Sequence, residues 1–484
     1  MDTDGIKHKM ISSSFWSSVE NAALQALSFL VFLILARLLQ PDDYGLMAIV
    51  MVFVTVLVAI SGFGISAAVV QIQELEGIHL NSGFWFSLTM GLLLYLIIYI
   101  GAPYLALIYE EPDLQPVLLY LGLIVVIDAA GTVPRGLLSR HFRFRFFAFR
   151  SITSTLFAGV IGITMATNGY GVWALVAQQL SAATVRTLLT WSGAGWVPKL
   201  EISWPALRSL LSVGGYMMGN GLANTVSRQA DNLLVGTFLG TRALGVYSIG
   251  FKVFESVNGV LLNSFSRLGV PTFSRLQDTP DRLANAYRQV WTMGAALTLP
   301  VFVLIILTAP GLVPAIFGSQ WEGSAIVLQF LMIASCCKAL TNFDASLLFT
   351  CGRARLAFRL TLLRTALNIA GFAIVVTWGI NAVAAAFAVA ALVMVPVWKF
   401  AIEKYSPASL AGSSQRLVSI GIGLLALSGM APVVALILAD ASTLVLIAAQ
   451  WLTGLFVYSL AVLLLDRTMR PGVQDLIKQV AGIR

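Results

Sequence analysis

At 484 residues, 58% hydrophobic and only 11% charged, this chain carries more apolar side chain than a soluble fold of its length can bury, since soluble domains are roughly a quarter charged. It is predicted to be an all-α integral membrane protein. The net charge of +8 sits in short connections between apolar stretches, so it calls for no nucleic-acid partner, and three cysteines, the adjacent Cys336 and Cys337 and then Cys351, make no disulfide framework.

Near the N-terminus, Lys7, His8 and Lys9 lead into an apolar run over 22–39 with no small-residue cleavage site behind it. That run reads as a first spanning helix rather than a cleaved leader. A spanning helix needs about 20 apolar residues. Stretches of that kind fall near 14–38, 45–70, 82–108, 114–138, 148–167, 171–192, 211–239, 245–270, 287–309, 323–349, 357–378, 380–400, 416–439 and 441–465, about fourteen in all. Turn residues at Gln40–Asp43, Glu110–Asp113, Thr167–Gly171 and Asp278–Asp281 punctuate them.

The order of these stretches carries an internal echo. Leu33–Gly45 and Leu233–Gly245 align at an offset of 200, with Leu33/Leu233, Leu39/Leu239, Gly45/Gly245 and Ile49/Ile249 identical. Phe142–Arg145 and Gly352–Arg355 align at an offset of 210, each after Leu-Leu and each entering an apolar run through Phe-Arg. Two echoes at nearly one offset predict two pseudo-symmetric six-helix lobes, 1–195 and 211–405, with two further helices and a tail in 406–484. Between the lobes, 196–210 has the aromatic and basic character of an interfacial linker (Trp196, Lys199, Trp204, Arg208). Six helices per lobe is an even number, so both lobes enter the membrane in one sense and face each other across a cleft.

Basic residues set the expected orientation. Alternate connections hold Arg140, Arg143, Arg145 and Arg150, then Lys199 and Arg208, Arg267 to Arg288, Arg353 to Arg364, and Lys399 to Arg416. The opposite connections hold Arg37 and Arg242 beside Asp42, Asp43, Glu110, Glu111, Asp113, Glu322 and Asp440. This asymmetry predicts a multi-pass protein of the cytoplasmic (inner) membrane with both termini cytoplasmic. The acidic loop Gln71–His79 runs against it, but acidic residues count little in the rule.

Polar side chains within apolar spans are costly, so their placement is informative. Ser14, Ser18, Asn21, Gln25 and Ser28 recur at three- and four-residue steps in the first span, with Glu20 to one side. The seventh repeats the stripe with Asn220, Asn224, Ser227, Arg228 and Asp231. Either the stripes bond neighbouring helices, with Arg228 and Asp231 paired at i,i+3, or they face a hydrated cleft. Lys252 and Glu255 lie one turn apart, either as a self-neutralising pair or as separate cleft groups. No acidic residue lies within four positions of Lys338 in the sequence, which calls for an anion or a distant carboxylate. Asp128 stands late in the fourth span and Asp344 late in the tenth.

The catalytic inventory is thin. Only three histidines occur (His8, His79, His141), dispersed too widely for a metal cluster. No H-E-x-x-H, Walker A or G-x-S-x-G motif is present. Asp42-Asp43 reads as turn and helix-start residues rather than a metal site. The chain is therefore expected not to be an enzyme and to hold no cofactor.

Four stretches carry a family resemblance. Leu35-Ala-Arg-Leu-Leu-Gln-Pro-Asp-Asp-Tyr-Gly45, Gly62-Phe-Gly-Ile-Ser-Ala-Ala-Val-Val-Gln71, Gly169-Tyr-Gly-Val-Trp-Ala-Leu-Val-Ala-Gln178, and Ala230-Asp-Asn-Leu-Leu-Val-Gly236 followed by Leu244-Gly-Val-Tyr247 resemble polysaccharide transporters of the colanic-acid exporter type. The likeness runs in matching order from about residue 10 to 400. It implies a flippase of the multidrug/oligosaccharidyl-lipid/polysaccharide superfamily, with two six-helix lobes in a V and two further helices. The implied cargo is a polyprenyl-pyrophosphate-linked oligosaccharide of exopolysaccharide or lipopolysaccharide synthesis, with membrane lipid, a polysaccharide polymerase and glycosyltransferases as implied partners. Such cargo needs hydrogen bonders for sugar hydroxyls and cations for pyrophosphate. The residues expected to supply them are Asn21, Gln25, Asn224, Arg228, Lys252 and Lys338. Glu20, Asp128, Asp231 and Glu255 are the expected coupling carboxylates, for Na⁺ or H⁺. A drug/cation antiporter of the same superfamily would make carboxylates dominant, whereas here the signs are mixed. A membrane enzyme of polysaccharide assembly is expected to carry a long outer loop, which the sequence lacks.

Overall fold

A computed structural model describes residues 24–408, 414–439 and 441–465. Among them every regular element is helical. Apolar backbone in a bilayer has no water to bond, so each segment satisfies its own N–H and C=O groups as helix. The order is α1 (Leu24–Leu38), α2 (Pro41–Ser61), α3 (Ile65–Gln71), α4 (Gly77–Ile108), α5 (Leu114–Ala130), α6 (Thr132–Arg140), α7 (Phe144–Thr167), α8 (Val172–Ala194) and α9 (Trp204–Ser274). Then follow α10 (Pro280–Phe317), α11 (Ser324–Thr341), α12 (Asp344–Thr350), α13 (Ala354–Val375), α14 (Ile380–Tyr405), α15 (Ser414–Ile437) and α16 (Thr443–Leu465).

By length and composition, ten described helices are fit to cross a membrane, or eleven when the bent pair α5/α6 counts as one. The expected count of fourteen is not matched one for one among the described residues. The first predicted span is described only from Leu24. The sixth forms α8 as a 23-residue helix, but Gln178, Gln179 and Arg186 lower its apolarity. The seventh and eighth run together as α9, whose backbone leaves helical geometry at Gly240 (φ 81°). The hydroxyl of Tyr247 reaches Asp231 at 3.0 Å across that point. Sixteen residues of straight helix would separate them by roughly 24 Å, so the chain doubles back at Gly240, where positive φ suits a residue without Cβ.

The chain packs as two compact units, Met1–Ser248 and Ile249–Arg484. This packing division is distinct from the repeat boundary expected at 196–210. In the first unit a core of Ile65, Ala68, Val69, Phe84, Val133, Leu137 and Leu210 gathers around α3 and α6. Arg140, at the end of α6, closes that core by donating to the carbonyls of Val69, Ile72 and Gln73, the last turn of α3 and the loop beyond it. The linker is tied to the start of α4: Asn81 bonds Glu201 and the Lys199 amide, the Trp85 indole donates to the Lys199 carbonyl, and Ser82 receives the Ser203 amide. In the second unit the main core joins Phe273, Tyr287, Trp291, Phe343, Leu347, Met394 and Trp398. A smaller cluster, Leu304, Leu427, Tyr458 and Val462, fastens α15 and α16 to α10.

The repeat is visible in backbone detail. Phe142 and Gly352 both adopt positive φ (54° and 72°). The next amide in each case, Arg143 or Arg353, bonds back to Leu138 or Leu348. In both halves the predicted fourth span is broken: α5/α6 bend by 43° at Gly131, and α11/α12 part at Asn342–Phe343.

Candidate transport site

In the first unit, the start of α2 meets the reversal in α9. A Cβ on Gly45 would lie 1.8 Å from the Thr241 carbonyl oxygen, and one on Gly245 would lie 1.8 Å from that of Pro41. The two contacts are reciprocal at the offset of 200 read from the sequence. Backbone touches backbone here, which only glycine permits. Around this crossing Glu111 accepts from Thr241, the Tyr109 and Thr237 hydroxyls pair at 2.9 Å, and the exposed Asp42 and Arg242 approach to 3.7 Å.

Next to the crossing lies a polar chain along α9. Gln229 donates to Thr55 at 3.3 Å and receives the Asn232 amide at 3.0 Å. Asp231, 5% exposed, accepts from the Tyr247 hydroxyl and from the Asn232 backbone amide at 2.8 Å. No helical spacing reveals Tyr247 as its partner. Arg228 and Asn224 are exposed and Gln25 is half-buried. Asn21 and Glu20 lie outside the described residues.

Asp128 is not solitary. Arg135, seven residues on, bonds its carboxylate at 2.8 Å, and the bend at Gly131 brings the two together. The same arginine reaches the Asp128 carbonyl at 3.3 Å. Arg186 on α8 shares the electrostatic field of this pair.

The second unit holds Lys252 exposed and Glu255 half-buried on α9, and Lys338 half-buried on α11. Asn258, 3% exposed, donates to Ser335 at 2.9 Å. The tightest polar cluster was not among the expected site residues. Asp344, fully buried, receives Lys399 at 2.9 Å and the Tyr287 hydroxyl at 2.5 Å. Lys399 also contacts the Tyr287 hydroxyl at 3.0 Å and lies over the Trp291 ring at 4.4 Å. The Trp291 indole is anchored on the Leu340 carbonyl. Residues 287, 344 and 399 lie on three helices, so no local spacing could announce them. The available signal was a carboxylate beside a helix break. Among the described residues no group of His, Cys, Asp and Glu is disposed to hold a metal ion.

The chain matches the family described as "Polysaccharide biosynthesis protein" over residues 34–326. It belongs to that family. It is 29% identical to the succinoglycan biosynthesis transport protein ExoT of Rhizobium meliloti over 66% of this chain and 65% of that one. With the lipopolysaccharide biosynthesis protein WzxC of Escherichia coli it shares 22% identity over 75% of this chain and 74% of the other. In fold it is similar to a lipid II flippase, MurJ, in an inward closed conformation (TM-score 0.76, 12% identity, 96% of this chain and all of that one). A multidrug MATE-family transporter, inward-facing, superposes with TM-score 0.60 at 18% identity over 79% of this chain and 95% of the other. The predicted all-α, multi-pass membrane architecture is therefore shared with these transporters.

Proposed function

We propose that this protein is a flippase that moves a polyprenyl-pyrophosphate-linked oligosaccharide across the cytoplasmic membrane by alternating access. The observation that carries this reading is the family match over 34–326 on helices that keep charged and amide side chains within apolar spans. Relatives named for succinoglycan transport, lipopolysaccharide and teichuronic acid biosynthesis support the cargo class. A glycolipid leaves its tail in the bilayer, so the protein needs only a polar path for the head. Asn21, Gln25 and Asn224 serve the sugar hydroxyls, while Arg228, Lys252 and Lys338 serve the phosphates. Glu20, Asp128, Asp231 and Glu255 are the carboxylates through which Na⁺ or H⁺ drives the cycle. The cargo is not chemically altered, no cofactor takes part, and both termini lie in the cytoplasm. A polysaccharide polymerase and glycosyltransferases are its expected partners.

Purified protein in liposomes should translocate a polyprenyl-linked oligosaccharide without nucleotide. Cargo that emerges with altered glycosidic linkages, or a strict need for ATP, would sink the reading.

A further inference from the structure

The charge at membrane depth least accounted for in the second unit is Arg364. It is the eleventh residue of α13, a 22-residue helix, so it lies about 15 Å from the start of the helix. That is the middle of a hydrocarbon layer about 30 Å thick. Positive-inside counting treats it as one more cytoplasmic arginine, but its position within the helix says otherwise.

Its face is the packed one. Ala357 and Leu360, seven and four residues earlier, are buried. Gly371, seven residues later, is turned toward α14: a Cβ placed there would lie 3.5 Å from the Ala386 methyl. The bulky exposed residues Phe358, Leu362, Ile369 and Ile374 point elsewhere around the helix, as a lipid-facing side requires. Arg364 shares that face and is nevertheless exposed. Among the described residues it forms no ion pair. One turn on, Asn368 shares this face, and Thr365 adjoins it. Neither side chain forms a hydrogen bond among the described residues, whereas Thr361 spends its proton on the Ala357 carbonyl. In the first unit the position at the offset of 210 is Ser154, which bonds its own helix at the Ser151 carbonyl.

An arginine held at mid-membrane without a counter-charge is expensive unless water or an anion meets it. The guanidinium fork, an amide and a hydroxyl within one turn match a phosphate group, which offers several acceptor oxygens. We infer that Arg364, Thr365 and Asn368 form a phosphate subsite at mid-membrane depth in the second unit. This rests on the flippase reading, because such a reading brings a lipid-borne phosphate to that depth. The phosphate arrives on either of two lipids, the polyprenyl carrier of the cargo or a resident anionic phospholipid.

Binding of geranylgeranyl pyrophosphate to the purified full-length protein in nanodiscs tests this, with phosphatidylglycerol as competitor. Arg364→Ala should weaken binding about tenfold or more, as loss of a charge-assisted pair does. Arg364→Lys should lose less, keeping the charge without the fork. Arg359→Ala, on another face near the helix start, should bind as the unaltered protein does. Equal competition by phosphatidylglycerol, abolished by the same change, would assign the subsite to the resident lipid. Binding within twofold of the unaltered protein for both Arg364→Ala and Arg364→Gln would overturn the subsite. Liposomes separate the two readings. If the unaltered protein fails to translocate lipid-linked oligosaccharide but keeps Arg364-dependent binding, the flippase reading falls and the phosphate subsite stands.

Discussion

The two fourth spans of the repeat are built alike and held differently. Both break near the same place, and each sets a carboxylate beside the break. In the first unit Asp128 takes its cation from seven residues along the same bent pair, and the side chains remain 15% and 36% exposed. In the second, Asp344 is fully buried and takes Lys399 from α14 and Tyr287 from α10. A local, partly solvated pair can open at little cost, because water replaces each partner. A buried pair assembled from three helices cannot, since removing one member strands the other in a medium that does not solvate it. The first break thus rests on a pair within one bent span, and the second fixes three helices together.

The largest effect should come from splitting the buried cluster. Asp344→Ala is expected to destabilise the protein by about 3–5 kcal/mol, because Lys399 is left without its carboxylate. The midpoint of thermal unfolding in detergent, followed by tryptophan fluorescence, reads this out. Asp344→Leu combined with Lys399→Met should recover most of the loss; a double variant as unstable as the single one would contradict the stranded-charge account.

A middle-sized effect locates what does hold the first unit. There the glycine crossing should matter more than the ion pair: Gly45→Ala and Gly245→Ala each force backbone apart, at a cost of about 1–3 kcal/mol. Because the contacts are reciprocal, the two variants should behave alike. Unequal losses, or none, would show that the crossing yields freely.

The smallest effect is expected at the first break. Asp128→Asn should change stability by no more than about 1 kcal/mol. A double-mutant cycle with Arg135→Gln measures the pair directly. A coupling as large as that of Asp344 with Lys399 would erase the distinction between the two breaks.

Much of the molecule was legible beforehand because a bilayer simplifies the problem. Apolar runs had to be helices, and their spacing had to mark the spans. Gly45 and Gly245, matched in the sequence at an offset of 200, prove to lie where two backbones touch. Site residues fared differently. Asp231 was legible as an intramembrane carboxylate, yet its partner Tyr247 was not, because helical spacing cannot foresee a chain that doubles back at Gly240. Arg364 was hidden by its own type, since an arginine near a basic loop counts toward orientation until the helix start is known.

The sequence by itself determined the helical, membrane-spanning class, the two-fold repeat and the family, because these follow from composition, periodicity and order along the chain. Only the tertiary structure decided which charges are compensated. Asp128 meets Arg135 because a helix bends, Asp344 meets Lys399 because three helices pack, and Arg364 meets no charge among the described residues. Electrostatic partnership depends on distance and desolvation, and residues 55 or 112 positions apart acquire those only when the chain folds.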